Sequence, residues 1–556
     1  MSNPPAQEIP NPEAGVSRRS FVRKGGAALA AGLTLPAIPV EAASQDHPNP
    51  RPGPKRPNLL ILITDQERFP QHWPEGWADR NLPNRKRLAR HGLTFTRAYC
   101  NAAMCSPSRA TLFTGLYAPQ HGVLEVLETG SATNTYPYGQ MTLRTGLMNM
   151  AKMLENAGYD VQYRGKWHMS RDPSGMVTVH SPSDLEQFRF KGWVPPDASD
   201  HTPPYQGGGE VVQNDALYAE QAAEFLRQVH PHATRPFALV VCLVNPHDIM
   251  SYWKQTSIPS YSPDPQYAGK PNYGPVSDMG IQLPPTYAQE PNKPACQAES
   301  TTMWATALGP LDDTDHTPLD YVNFYACLHT LSDQHLGTIL DALEANPKVH
   351  EDTLVFRMAD HGEMGLAHGG MRQKAYNAYE ETVHIPMVIS NPKLFPKPVE
   401  SDALVSLIDV MPTLASIVGA HPEDTEGFRG TDLTPIIQQA IQTRANPTTK
   451  VQDSILFTTD ETIGSRPSNP SSCPPATLFV HQPAHIRCLR EENWKFALYF
   501  DPANRNLVDY ELYDLVNDPY ETRNLGRPST PDFNEAKWNE MRQKLIQKLQ
   551  EEGINW

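Results

Sequence analysis

Hydrophobic and polar positions along this chain follow two main rhythms. Asn58 to Ile63, Pro236 to Val244 and Thr353 to Ala359 are nearly unbroken apolar runs. Runs of this length predict strands covered on both faces, as in the middle of a parallel sheet. Asp320 to Ala345 instead carries Tyr321, Phe324, Tyr325, Leu328, Leu331, Leu336, Ile339, Leu340 and Leu343 at helical spacing, a stripe that reads as core packing without chemistry. Shorter helices are predicted over 83–91, 148–157 and 403–418, the last interrupted near Pro412. Shorter strands are predicted over 93–96, 159–165 and 385–389. Past residue 440 the pattern changes to short strands at 455–458, 485–489 and 495–500, a hairpin between 511 and 525, and a closing helix over 534–552. Long buried strands alternating with helices place the chain in the α/β class.

The ends of the buried strands hold the polar residues of interest. The first run stops at Asp65-Gln66, the second at Asn245-Pro246-His247-Asp248 and the third at Asp360-His361-Gly362-Glu363. Ligands of open α/β sheets bind beyond the carboxyl ends of strands, and a carboxylate there is a hard ligand for Ca²⁺ or Mg²⁺. The strand after Gly158 ends in Lys166-Trp167-His168. Lys166 and His168 are two residues apart and share a face on extended backbone. Between Asn101 and Gly115, Cys105 precedes Pro107 and Arg109. Proline fits the first turn of a helix, so Cys105 is expected just ahead of a helix N-terminus, where amide N–H groups favour an anion. Arg109 follows about one turn later, able to face the same space.

Composition narrows the classes. The 556 residues are 39% hydrophobic with a net charge of −15, which argues against nucleic acid or an anionic membrane as partner. An anionic substrate would need a local positive field to outweigh that balance. The 55 prolines forecast long ordered loops. The stretches 170–235 and 255–318 read as loops, the second as a roof over the active site that sets substrate choice. The seven cysteines show no zinc-ligand spacing. Residues 1–43 read as a targeting segment: Ser17-Arg18-Arg19-Ser20-Phe21-Val22-Arg23 resembles the twin-arginine export motif, followed by a short apolar run and Glu41-Ala42-Ala43. A periplasmic or secreted location is therefore expected, with the twin-arginine machinery as a partner. No other stretch is suited to stable membrane insertion. The expected organisation is a proline-rich linker over 44–57, a catalytic domain over 58–440 and a C-terminal α+β subdomain over 441–556.

Several of these strings together resemble the type I sulfatases. Cys105-Ser106-Pro107-Ser108-Arg109 through Thr114-Gly115 resembles that family's first signature, and Gly158-Tyr159 through Gly165-Lys166-Trp167-His168 its second. Asp65 matches the family's first Asp-Asp pair, with Gln66 as a departure, and Asp360-His361-Gly362 resembles its later Asp-Asn-Gly or Asp-His-Gly. Lys374 stands at the family's spacing before Tyr379-Glu380. The resemblance implies a large mixed, mostly parallel sheet sandwiched by helices, as in alkaline phosphatases and sulfatases, with a smaller C-terminal antiparallel sheet. It implies that a formylglycine-generating enzyme oxidises Cys105 to 3-oxoalanine (formylglycine). It implies a divalent cation, Ca²⁺ or else Mg²⁺ or Mn²⁺, at Asp65, Gln66, Asp360 and His361 and at the modified residue Cys105 itself.

On that resemblance, the hydrated aldehyde attacks sulfur with one hydroxyl and expels sulfate by deprotonation of the other. Arg109 supports residue 105, Lys166 and Lys374 neutralise sulfate oxygens, His168 is the base and His247 the acid toward the leaving alcohol. The expected substrate is a small aryl, alkyl or carbohydrate sulfate. The Gln66 and His361 positions also resemble choline sulfatases and the phosphonate monoester or phosphodiester hydrolases of the same superfamily, which is the alternative activity. A sulfated-glycan binding protein that kept the fold without catalysis is the minor alternative.

Overall fold

The computed structural model of the chain describes residues 56–127, 141–171, 181–198, 205–206, 212–229, 231, 233–252, 277–288, 293–311, 317–461 and 480–556. The export-type string, most of the proline-rich linker, Gly207 to Gly209, Cys473 and much of the 255–318 stretch lie outside the described residues.

The three continuous apolar runs are central strands of one sheet. In chain order its strands and an accompanying ribbon are β1 (Asn58–Thr64), β2 (Gly92–Tyr99), β3 (Asp160–Gly165), the two-residue ribbon strands β4 (Tyr205–Gln206) and β5 (Val212–Gln213), β6 (Phe237–Cys242), β7 (Thr353–Ala359), β8 (His384–Ser390), β9 (Val399–Ser401) and β10 (Val405–Ser406). The ribbon stands apart, and the large sheet runs β10, β2, β8, β7, β1, β6, β3, with β9 also on β2. β3, β6, β1 and β7 are mutually parallel, and β8 is antiparallel to both β7 and β2. The sheet is mixed and mostly parallel, as expected.

Alternate residues of β1 enter two different cores. Leu59, Ile61 and Ile63 pack with Met150, Met153 and Leu154 of the helix Met150–Asn156, with Leu112 and Phe113 of the helix Cys105–Thr114, and with Met411 and Leu414 of the helix Val410–Val418. Leu60 and Leu62 belong to the opposite core, built with Tyr218, Ala222 and Leu226 of the helix Asn214–Gln228 and with Leu336, Ile339 and Leu343 of the helix Pro318–Glu344. Each fully buried Leu or Ile contributes about 1.5–3 kcal/mol, so helices on both faces hold this strand in place. Pro318–Glu344 starts where a cap permits: Thr317 Oγ1 accepts from Asp320 N at 3.1 Å while Asp320 Oδ2 accepts from Thr317 N at 3.2 Å.

A second sheet, β11 (Ser454–Thr459), β12 (His485–Glu491), β13 (Trp494–Asp501) and β14 (Asn504–Asp514), is antiparallel throughout. One face, with Ile455, Phe457, Ile486 and Tyr499, joins the core of the large sheet. The other, with Leu456, Phe496, Leu498 and Leu512, lies under Met541, Leu545 and Leu549, one turn apart on the helix Glu535–Glu552.

Four details differ from the sequence reading. The 170–235 stretch contains the helix Asn214–Gln228, whose buried residues mix Asn214 and Asp215 with three alanines, Tyr218 and Leu226, and so give little hydrophobic contrast. The 255–318 stretch contains the helix Ala295–Leu308, which buries Gln297 and Ser300 beside Met303 and Trp304. Pro412 lies in the first turn of Val410–Val418, where it interrupts nothing, and the residues before it form β10 and a single 3-10 turn, Leu407–Asp409. Residues 511–514 pair with β13, and the segment to 525 returns as turns, with Leu525 N donating to Leu512 O at 2.8 Å. Among the described residues no helix is long and apolar enough to cross a membrane, and the six described cysteines are all unpaired.

Candidate active site

Register assembles the site. Thr64 is level with Ala359 across β1 and β7, Ile63 with Cys242 across β1 and β6, and Gly165 with Cys242 across β3 and β6. Parallel strands aligned this way release Asp65-Gln66, Lys166, the Leu243–His247 segment and Asp360-His361 along a single sheet edge. The helix Cys105–Thr114 begins there. Cys105 is its first residue, slightly further in than its spacing to Pro107 suggests, and Ser108 Oγ bonds Asp360 O at 2.5 Å.

Cys105 Sγ lies 3.5 Å from Asp65 Oδ1 and 3.2 Å from His361 Nε2. His361 Nε2 is 3.5 Å from Asp65 Oδ1 and 3.6 Å from Asp360 Oδ1. His361 Nδ1 meets Gly362 O at 3.0 Å; a carbonyl only accepts, so Nδ1 carries the hydrogen and Nε2 presents a lone pair. His247 completes the group, with a ring nitrogen within 4.8 Å of both the Asp65 carboxylate and Cys105 Sγ.

The cations surround these carboxylates. Lys166 Nζ is 2.7 Å from Asp65 Oδ2. Arg109 pairs with Asp360 Oδ2 at 3.3 Å and donates to Tyr163 OH and Trp167 O, both at 3.0 Å, and to Lys166 O. Its guanidinium therefore ties one acidic strand end to the chain that follows β3. Lys374 Nζ donates to Gln66 Oε1 at 2.5 Å. Burial works to raise the pKa of Asp65, but Lys166, His247, His361 and Lys374 more than offset it and hold the carboxyl well below its usual range. Burial pushes the His361 imidazole below its ordinary value. Asp65, Gln66, Cys105, Arg109, Lys166, His168, Asp360 and His361 are all 0% exposed, so these charges act in a medium that screens them little.

His168 is held differently from the way its spacing suggests. β3 ends at Gly165, and His168 takes a left-handed conformation, φ 53°, so no extended backbone aligns it with Lys166. Its N–H is held by Asp197 Oδ2 at 3.0 Å, and its Nε2 donates to Leu127 O at 2.6 Å, leaving Nδ1 as the proton-accepting nitrogen. Leu127 N in turn donates to Ser106 Oγ at 3.0 Å, next to Cys105. Gln66 shares the left-handed conformation, φ 63°. Such backbone costs a non-glycine residue about 1–3 kcal/mol and concentrates at functional sites.

The sequence reading missed Asp197, Tyr163 and the two phenols of the long helix. Tyr325 OH donates to Gln66 O at 2.6 Å and Tyr321 OH to Glu363 Oε1 at 2.8 Å. Helical spacing marks both tyrosines as core, which is right for the rings; the hydroxyl is the only signal of more. Asp197 sits in a stretch without a motif.

With this geometry in place, comparison with known proteins gives the class. Residues 57–420 match the family described as Sulfatase. The chain belongs to the sulfatase family and is a hydrolase of that kind. An uncharacterized sulfatase, YidJ, of Escherichia coli (strain K12) is 26% identical over 492 residues, covering 85% of this chain and 83% of that one. Among solved structures, a 2-O GAG sulfatase superposes with a TM-score of 0.63 at 19% identity, covering 90% of this chain and 93% of its own. The phosphonate monoester hydrolase of Agrobacterium radiobacter superposes with a TM-score of 0.61 at 21% identity, covering 89% and 96%. Both share the fold.

Proposed function

We propose that this protein hydrolyses sulfate monoesters, with residue 105 oxidised to formylglycine as nucleophile and a divalent cation at Asp65, Gln66, Asp360 and His361. The observation that carries this reading is the buried cluster of Asp65, Asp360 and His361, whose ligand atoms all lie within 4.8 Å of one another. Two carboxylates, an amide oxygen and a neutral imidazole suit Ca²⁺, Mg²⁺ or Mn²⁺. A bound cation would neutralise substrate oxygens and favour the ionised form of a hydroxyl on residue 105.

The chain's own residues account for the rest. Lys166 and Lys374 supply positive charge on either side of the cluster, a local field that answers the net charge of −15. Arg109 fixes Asp360 against the Lys166–Trp167 backbone and thereby holds Lys166 in place. His168 can take a proton at Nδ1, its Nε2–H being spent on Leu127 O. His247, with a ring nitrogen within 4.8 Å of Cys105 Sγ, is the donor toward a leaving oxygen. The substrate is a small sulfate ester. The partners are a formylglycine-generating enzyme and, on the strength of the Arg18-Arg19 string, the twin-arginine export route to the periplasm or medium.

A second reading, phosphonate monoester or phosphodiester hydrolysis, is favoured by Gln66 and by the fold shared with the Agrobacterium enzyme. The test uses protein co-produced with a formylglycine-generating enzyme. It compares an aryl sulfate with an aryl phosphonate monoester and a phosphodiester of the same leaving group. A clear preference for sulfate is expected; a preference for the phosphorus esters would replace the first reading with the second.

A further inference from the structure

An amide can face a cation with either end, and only its oxygen is a ligand. The amide of Gln66 is gripped from both sides. Its Nε2 donates to Glu363 Oε2 at 2.5 Å and to Gln373 Oε1 at 3.2 Å, and its Oε1 accepts from Lys374 Nζ at 2.5 Å. A carboxylate has no hydrogen to give and an ammonium no lone pair to offer, so one of the two amide orientations satisfies both neighbours and the other satisfies neither. Glu363 is itself fixed. Its Oε1 accepts from Tyr321 OH at 2.8 Å, Gln373 N at 3.0 Å and Gly365 N at 3.2 Å, which turns Oε2 toward Gln66. Glu363, Gln66 and Gln373 are each 0% exposed. Bulk water does not compete for these contacts.

We propose that Glu363 is a positioning residue that sets the amide of Gln66, so that its carbonyl oxygen and never its NH₂ is presented on the side of Lys374 and the Asp65 cluster. The proposal rests on the cation reading above. It assigns to Glu363, a position that touches neither Cys105 nor the substrate lysines, control over whether Gln66 is a ligand. A partner that orients a ligand from behind typically governs metal affinity by 10–100-fold.

The test is calorimetric titration of Ca²⁺ into the full chain without substrate, with melting temperature followed alongside. In Glu363→Gln the new side chain can donate as well as accept, so the Gln66 amide loses one of its two fixed partners and is oriented by Lys374 without support from behind, and Ca²⁺ binding should weaken at least tenfold. In Gln66→Glu two carboxylates meet, and binding should also suffer. The double variant Gln66→Glu/Glu363→Gln restores a donor opposite an acceptor with the roles exchanged, and it should bind Ca²⁺ more tightly than either single variant. A purely structural role would lower melting temperature without this reciprocity. Unchanged affinity in Glu363→Gln, or a double variant no tighter than the singles, would overturn the proposal. A wild-type chain that binds neither Ca²⁺, Mg²⁺ nor Mn²⁺ would overturn the cation reading itself, and this proposal with it.

Discussion

Lys166 Nζ and Asp65 Oδ2 lie 2.7 Å apart, both side chains wholly shielded from solvent. The two come from parallel strands separated by β6, so the pair spans the sheet edge and closes one wall of the site. Removing one member of a buried pair leaves an uncompensated charge, typically at 3–5 kcal/mol. Lys166→Met should therefore lose about that much stability in urea denaturation and most of its turnover. Wild-type stability in Lys166→Met would show that Asp65 draws its support from the other cations.

Cys105→Ala and Cys105→Ser should both remove turnover while leaving the melting temperature within a few degrees of wild type, because Cys105 packs as a small side chain at a helix start. Substantial residual hydrolysis in Cys105→Ala would refute the nucleophile assignment.

Gly165 is the hinge between β3 and Lys166. It holds φ +92°, and an added Cβ would meet Cys242 O at 2.0 Å. Both the conformation and the space exclude a side chain there. Gly165→Ala should displace Lys166 from Asp65 and lower kcat and melting temperature together. A variant with a normal melting temperature but lost activity would mean that the strain is absorbed entirely within the site.

Acid should destabilise the fold through histidines away from the catalytic cluster. Burial lowers His121 to about 3, His329 to about 3 and His384 to about 4, from an ordinary 6.5. His121 is further committed to its neutral form, since Nδ1 accepts from Val123 N at 3.1 Å. In each case the folded pKa lies below the unfolded one. The unfolded chain therefore takes up protons first as pH drops. Stability is complete above about pH 6.5 and declines toward pH 4, by up to about 1.4 kcal/mol per pH unit per histidine. His121→Gln should make the decline between pH 6.5 and 5 shallower in urea titrations; an unchanged slope would show that His121 does not contribute.

The sheet and the grouping of the candidate site residues were legible because their signals are strong and local. Unbroken apolar runs announce doubly covered strands, and Asp65 and Asp360 stand where those runs stop. Cys105, Arg109 and Lys166 were found through strings of fixed spacing. The Asn214–Gln228 helix was hidden because three alanines and the polar Asn214 and Asp215 make up most of its buried face, and periodicity needs contrast. Asp197 was hidden because its work is done on the backbone of Trp167 and His168, at 2.7 Å and 3.0 Å, a contact made across the fold that no short motif encodes. Glu363 was in plain view beside Asp360-His361, yet its grip on Gln66 depends on a partner 297 residues away.

The complete burial of Cys105 has a consequence for how such a molecule comes of age. On the oxidised-cysteine reading, another protein must close its own catalytic pocket around that sulfur, which it can do only while Asn101 to Gly115 is still slack peptide. Maturation is then a race between two clocks, one for the visiting enzyme and one for the closing chain. Changes that quicken folding would shorten the window and raise the share of inert, thiol-bearing molecules. Sluggish folding, usually a defect, would here favour a fully active population.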